Sequence, residues 1–386
     1  MLQIDTKDAF SDWLKDGCRP AAAIQGVDLR TDIGLLEETD LAGSIFLSCT
    51  IAPDTVGKIV RNGAIVIPDS AKFSFPTHKS HLYSVEELFD GYNPNDPSGY
   101  QNTYDNIVYR EYMKDGSLDM PLDTGLFRRL HDHGITNALF NIIKDRKVVA
   151  IMGGHGMERR DPYYTTIAKL SRQLTKDGFL MVSGGGPGAM EATHLGAYFA
   201  ARSEDDLIDA IAMLKPRLDK ALPGKEYKDA DWLSRAWRVR EKYPLSAAQK
   251  DASMSIGIPT WFYGHEPPAP FATHIAKFFA NSIREDGLLM IAQYGVIFAP
   301  GSAGTRQEVF QDAAQNHYGS AGYYSPMILL GKEYWTGQGA HKYSYPVWQL
   351  LSATASPDYK DLLSITDDSA QIIKTIKNYK PEKHKK

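Results

Sequence analysis

Cysteine is almost missing from this chain: only Cys18 and Cys49 occur among 386 residues. Neither belongs to a CxxC pair or a Cys/His cluster. A disulfide scaffold and a cysteine zinc site are excluded, and unpaired thiols in a reducing compartment are expected. Long apolar runs are missing too, since no uncharged stretch reaches bilayer-crossing length. Met1-Leu2-Gln3-Ile4-Asp5 carries neither the basic segment nor the apolar run of a secretory signal. The expectation is a cytoplasmic protein with no membrane partner. An excess of one charge is also lacking: 43 Lys+Arg stand against 47 Asp+Glu, a formal net charge of −4. Such a balance gives no reason to expect a nucleic-acid partner, and the basic run from Lys380 to Lys386 reads as a solvated tail. HExxH does not occur, and His131 and His133 have no partner spacing that argues for a metal. Neither metal nor cofactor is expected.

What is present changes texture near Lys147. Before it, short apolar runs such as 43–47 and 63–67 alternate with turn residues, which predicts short strands. The Tyr-, Asn-, Asp- and Pro-rich stretch 91–116 reads as irregular, and helical spacing predicts a helix over 126–144. Residues 1–146 are thus an additional N-terminal mixed region to which no chemistry attaches. From 147 to 386 the pattern becomes strand, glycine turn, helix, repeated. Apolar runs at 148–152, 179–182, 254–258, 295–299 and 326–330 lack alternation, as parallel strands buried on both faces do. Helices are expected over 164–176 and 189–201. The fold class is therefore α/β, a Rossmann-like doubly wound parallel sheet whose ligands sit beyond the carboxyl ends of the strands.

Those ends carry the chemistry. Gly153-Gly154-His155-Gly156 closes the first run. Ser183-Gly184-Gly185-Gly186-Pro187-Gly188-Ala189-Met190-Glu191 closes the second, with Pro187 suited to a first helical position. Glycines let the backbone approach a ligand, and a helix start offers free N–H groups to an anion. Pro300-Gly301-Ser302-Ala303-Gly304-Thr305-Arg306-Gln307-Glu308 repeats the arrangement. Thr305 can bond a phosphate oxygen or cap the helix, and the macrodipole favours an ionised Glu308 by roughly 0.3–1 kcal/mol. The candidate phosphate- and substrate-binding residues are Gly153, Gly154, Ser183, Gly184, Gly185, Gly186, Gly188, Glu191, Gly301, Ser302, Gly304 and Thr305. Structural turns and a capping carboxylate are the plainer readings of the same residues. Gly184-x-Gly186-x-x-Ala189 fits the dinucleotide glycine pattern, but it follows the second strand of the region, so a nicotinamide dehydrogenase is disfavoured.

These motifs resemble the LOG-like family, whose members were formerly labelled lysine decarboxylases. The chain is most similar to its bacterial pyrimidine/purine nucleotide 5′-monophosphate nucleosidase branch. The likeness rests on Met152-Gly153-Gly154-His155, on 184–191, on His265-Glu266-Pro267-Pro268-Ala269-Pro270 and on 300–308, and it covers 147–380. It implies hydrolysis of the N-glycosidic bond of a nucleoside monophosphate to base and ribose 5-phosphate, by a homo-oligomer, dimer or tetramer. It also implies catalytic roles for Glu308 and Arg284. Ser302 departs from the family pattern, which has glycine there. On a helical wheel Arg284 groups with Lys277 and Asn281. Glu191, Glu266 and Glu285 are each open as proton donors to the leaving base, as is solvent. A non-catalytic nucleotide sensor on the same fold remains the rival. No feature identifies a pyridoxal-binding lysine. The insert 203–250, with Trp232 and Trp237, either covers the nucleotide or packs elsewhere.

Overall fold

The computed structural model describes residues 1–31, 36, 39–96, 99–116, 119–216, 224–339 and 344–382. Part of the 203–250 insert and the end of the basic tail lie outside the described residues. The chain forms two compact units, residues 1–82 with 110–142 and residues 83–109 with 143–386. No described helix is long and apolar enough to cross a membrane.

The first unit holds strands β1 (Leu2–Ile4), β2 (Ala22–Gln25), β3 (Ile45–Leu47) and β4 (Ile65–Ile67), all parallel and in the order β1-β2-β3-β4. Helix α1 (Lys7–Lys15) starts where the Thr6 side chain accepts a hydrogen bond from the Ala9 N–H, and α2 (Pro53–Arg61) starts on a proline. Their buried faces, Phe10 and Trp13 on α1 and Ile59 on α2, join Ile4, Ile24 and Phe46 in one core. The expected mixed region is thus itself a parallel α/β unit. Helices α3 (Tyr104–Asp115) and α4 (Leu122–Ile143) follow. α3 falls in the stretch expected to be irregular. Its sequence, YDNIVYREYMKD, has too many polar positions to display an apolar stripe.

The second unit carries β5 (Lys147–Met152), α5 (Pro162–Lys176), β6 (Phe179–Ser183), α6 (Ala189–Tyr198), α7 (Glu204–Leu214), α8 (Trp232–Lys242), β7 (Ser255–Gly257) and β8 (His274–Ile275). Then come α9 (Asn281–Ile291), β9 (Val296–Phe298), α10 (Ala303–Tyr318), β10 (Met327–Leu330), β11 (Leu363–Thr366) and α11 (Ser369–Asn378). The seven strands run parallel in the order β11-β10-β9-β5-β6-β7-β8. It is a Rossmann-like doubly wound α/β sheet, as the unbroken apolar runs imply. Val148 to Met152 in β5 are all buried, with neighbours on both edges. The chain moves outward from β5 through β8, then returns to lay β9 on the other edge of β5. The order reverses between β5 and β9, the place where such sheets open a crevice.

The two tryptophans of the insert are packing residues. Trp232 is fully buried under the Arg159 guanidinium, 4.5 Å from its ring centroid. Trp237 packs against Phe89 and Tyr92 at 4.9 and 4.8 Å between centroids.

Candidate active site

Three glycine turns meet at the reversal point. The Gly154 N–H donates to the Pro300 carbonyl at 3.1 Å, and the Ala189 N–H donates to the Gly154 carbonyl at 3.2 Å. A Cβ on Gly153 would lie 2.6 Å from that of Ala189, and one on Gly301 would lie 2.8 Å from the Gly154 nitrogen. Small residues are therefore required for the ends of β5, β6 and β9 to close on one another. α6 begins at Ala189 with Gly188 as its cap at φ +68°, so Pro187 precedes the cap instead of occupying the first turn.

A cavity of about 810 Å³ opens beside these turns, lined by Gly154, His155, Arg160, Tyr227, Gly301 and Ser302 among others. Ser302 caps α10 without a side-chain hydrogen bond to the helix, so its hydroxyl faces other uses. Arg160 and Lys225 bring cations to the same wall and Tyr227 an aromatic ring, none of which the sequence singled out. A second cavity of about 50 Å³ is lined by Gly184, Gly185, Gly186, Met190, Pro259, Thr260, Tyr263, Glu266 and Arg284.

Not every candidate residue lines a cavity. Gly304 is exposed in the first turn of α10, with open space where a Cβ would stand. Thr305 is buried against Gly301. Ser183 is fully buried and donates its hydroxyl to the Ile151 carbonyl at 2.6 Å, so it holds β6 to β5 and has no donor left for phosphate. Glu191 requires the largest correction. It is fully buried; one carboxylate oxygen accepts from Arg159 Nε and Tyr164 Oη, both at 2.9 Å, and the other from Arg159 Nη2 at 2.5 Å. Arg159 also donates to the Leu214 and Trp232 carbonyls. Glu191 is the centre of a buried ion pair that ties α6 to α7 and α8, and it is no ligand for phosphate or proton donor to a base. The pair is invisible in sequence because its partners stand 32 and 27 residues away.

Glu308 and Arg284 do come together. Arg284 Nη1 lies 3.6 Å from Glu308 Oε1, both side chains being 12% exposed. Nε of the arginine donates to the Ile258 carbonyl at 3.1 Å, and its guanidinium fills the space a Cβ on Gly184 would need. Burial pushes the Glu308 carboxyl up to about 7; Arg284 opposes that rise and Glu285 adds to it. The macrodipole argument predicted an ionised group, but desolvation outweighs it here. Lys277 does not share the Arg284 face, because α9 starts only at Asn281. It is buried and ion-paired with Asp105. Glu285 accepts from Asn281 Nδ2 at 2.7 Å and from Gln307 Nε2 at 3.3 Å.

Glu266 sits between two histidines, with Oε1 3.8 Å from His155 Nδ1 and 3.8 Å from His265 Nε2. Burial raises its carboxyl, while His155, His265, Arg284 and Lys228 pull it down. Among the described residues no group of three or more His, Cys, Asp or Glu side chains is placed to hold a metal. Compared with models of known families and with curated proteins, the sequence matches none.

Proposed function

We propose that the second unit hydrolyses the N-glycosidic bond of nucleoside 5′-monophosphates, releasing a base and ribose 5-phosphate. The observation that carries this reading is the meeting of three glycine turns with the Arg284–Glu308 pair at the reversal point of the sheet. Breaking a ribosyl bond builds positive charge on the sugar, and a carboxylate beside it is stabilising. Glu308, 3.6 Å from the Arg284 that lines the smaller cavity, is the carboxylate we assign to that role. Its acidity near neutrality keeps both protonation states accessible. Arg284 holds Glu308 in place and offsets its charge before substrate arrives. Gly301, the free Ser302 hydroxyl and the start of α10 suit an anionic phosphate, with Arg160 and Lys225 on the same cavity wall. Tyr227 offers a flat ring for the base. The motif resemblance to the LOG-like nucleosidases supports the same chemistry. The reading includes a homo-oligomeric enzyme acting in the cytoplasm on small nucleotides without a cofactor.

The test is incubation with a panel of nucleoside monophosphates and the matching nucleosides, followed by chromatography for free base. Leaving two buried donors without the phosphate costs about 2–6 kcal/mol, so kcat/KM for AMP should exceed that for adenosine by tens to many thousandfold. Equal efficiencies would remove the phosphate from the reading. Nucleotide binding without base release would make the protein a sensor.

A further inference from the structure

Glu308 lines neither cavity at the reversal point, so the attacking water needs another seat. At about 50 Å³ the second cavity is far smaller than the first and has room for a few water molecules. Its lining is mostly apolar but includes the polar side chains of Thr260, Glu266 and Arg284. Thr260 is 3% exposed, and its hydroxyl has no hydrogen-bond partner among the described residues. Glu266 Oε2 lies only 3.3 Å from where a Cβ on Gly186 would stand, so the glycine turn makes room for that carboxylate. Glu266 Oε1 approaches His155, which lines the large cavity. The small cavity therefore adjoins the wall of the larger one.

We propose that this small cavity seats the nucleophilic water, that Glu266 is the general base that deprotonates it, and that the Thr260 hydroxyl fixes its orientation. The inference rests on the hydrolytic reading above and adds a second carboxylate to it. In the step, the water oxygen bonds the ribosyl C1′ as its proton passes to Glu266. The C1′–N bond breaks, its electron pair leaves with the base nitrogen, and the base takes up a proton from solvent. Glu266 then gives its proton to solvent, so one water is consumed and the protein is unchanged. Enzymes that hydrolyse glycosidic bonds commonly divide the work between two carboxyl groups, one of which activates the water. The groups facing Glu266 are His155, His265, Arg284 and Lys228, all cationic when protonated, with Tyr227 and Tyr263 beside them. Burial raises the Glu266 carboxyl overall, as suits a group that must take up a proton, and these cations offset part of that rise.

The experiment compares wild type with Glu266→Gln on the best nucleoside monophosphate, with nucleotide binding measured by equilibrium dialysis. Expected is a roughly hundredfold or larger fall in kcat with binding within about threefold. Azide added to Glu266→Ala should restore base release by forming the glycosyl azide. A second, independent arm uses Thr260→Val in water–methanol mixtures. The ratio of methyl riboside 5-phosphate to ribose 5-phosphate should change, and Thr260→Ser should return it to the wild-type value. If wild type releases base but Glu266→Gln keeps more than about a tenth of its turnover, the proposal is overturned and the hydrolytic reading stands. An unchanged methanol ratio in Thr260→Val removes the orienting hydroxyl. If wild type releases no base from any nucleotide, the hydrolytic reading fails and takes this proposal with it.

Discussion

Both units are parallel α/β sheets with turns at their carboxyl ends, and among the described residues the two cavities above lie at the strand ends of the second. In the first, the strand order β1-β2-β3-β4 follows the chain without reversal. Its strand-end groups bond one another. Ser48 Oγ donates to Asp69 at 2.8 Å and accepts from the His78 N–H at 3.1 Å, while the His78 ring meets the Gln25 amide at 2.6 Å. In the second, β5 has neighbours laid down in opposite directions, and the loops after β5 and β9 part to leave the large cavity. A parallel sheet alone does not make a site. Reversal of the order does, provided that the turns at the reversal carry residues small enough to meet.

The sharpest way to break this comparison is a matched pair of glycine substitutions, at Gly188 and at Gly26. Gly188 has φ +68°, and a Cβ there would press on the Gly154 carbonyl oxygen and lie 2.7 Å from that of His155. Backbone strain and the clash together should cost roughly 3–5 kcal/mol in Gly188→Ala. Thermal denaturation should show a fall in Tm of many degrees, and base release should vanish. A Gly188→Ala protein with native stability would mean that the turns are not as closely engaged as drawn.

Second in size is Glu308→Gln. Turnover should fall by roughly a hundredfold or more while nucleotide binding survives, as for a group that acts chiefly in the transition state. The same variant carries a stability test. The Glu308 carboxyl rises from an ordinary 4.5 to about 7 on folding, so the folded state holds its proton more tightly than the unfolded chain. Its contribution is present below pH 4.5 and is lost as pH rises through 7, about 3 kcal/mol in all. Glu308→Gln escapes that loss. Its Tm relative to wild type should climb between pH 4 and pH 8; a flat difference would mean that Glu308 is ionised in the folded protein. Arg284→Ala should follow, with kcat down roughly tenfold or more and KM raised, because it removes the Glu308 partner and a wall of the small cavity. A change in thermal stability alone would make the arginine structural.

Much of the second unit was legible because its signals are local. A strand buried on both faces reads as an unbroken apolar run, and β5, β6, β9 and β10 were each found that way. The glycine turns were legible for the same reason, being contiguous. What escaped depended on distant partners. β8 has two residues, too few to show a pattern. Glu191 looked like a site residue until Arg159 and Tyr164 enclosed it. Thr260 and Tyr263 sit in a segment with no motif, and only packing against the Gly184–Gly186 turn brings them to the cavity. The acidity of Glu308 was misjudged because the macrodipole is read from the helix alone, whereas desolvation depends on everything that covers it.

The smallest expected effect completes the comparison. Gly26 ends β2 at φ +66°, nearly the angle of Gly188, but a Cβ built there meets nothing within 4 Å. Its N–H donates to the Leu47 carbonyl at 2.9 Å, a bond that alanine preserves. The left-handed conformation costs an alanine about 1–2 kcal/mol. Alanine also narrows the unfolded ensemble, which returns roughly 0.4–1 kcal/mol. Gly26→Ala should therefore lose about 1 kcal/mol, a Tm change of a few degrees at most, with base release within twofold of wild type. The two alanines share a backbone angle and differ in what surrounds it, so their ratio isolates crowding from strain. Loss of turnover in Gly26→Ala at native stability would show that the end of β2 also serves the reaction, and the contrast between the two sheets would fail.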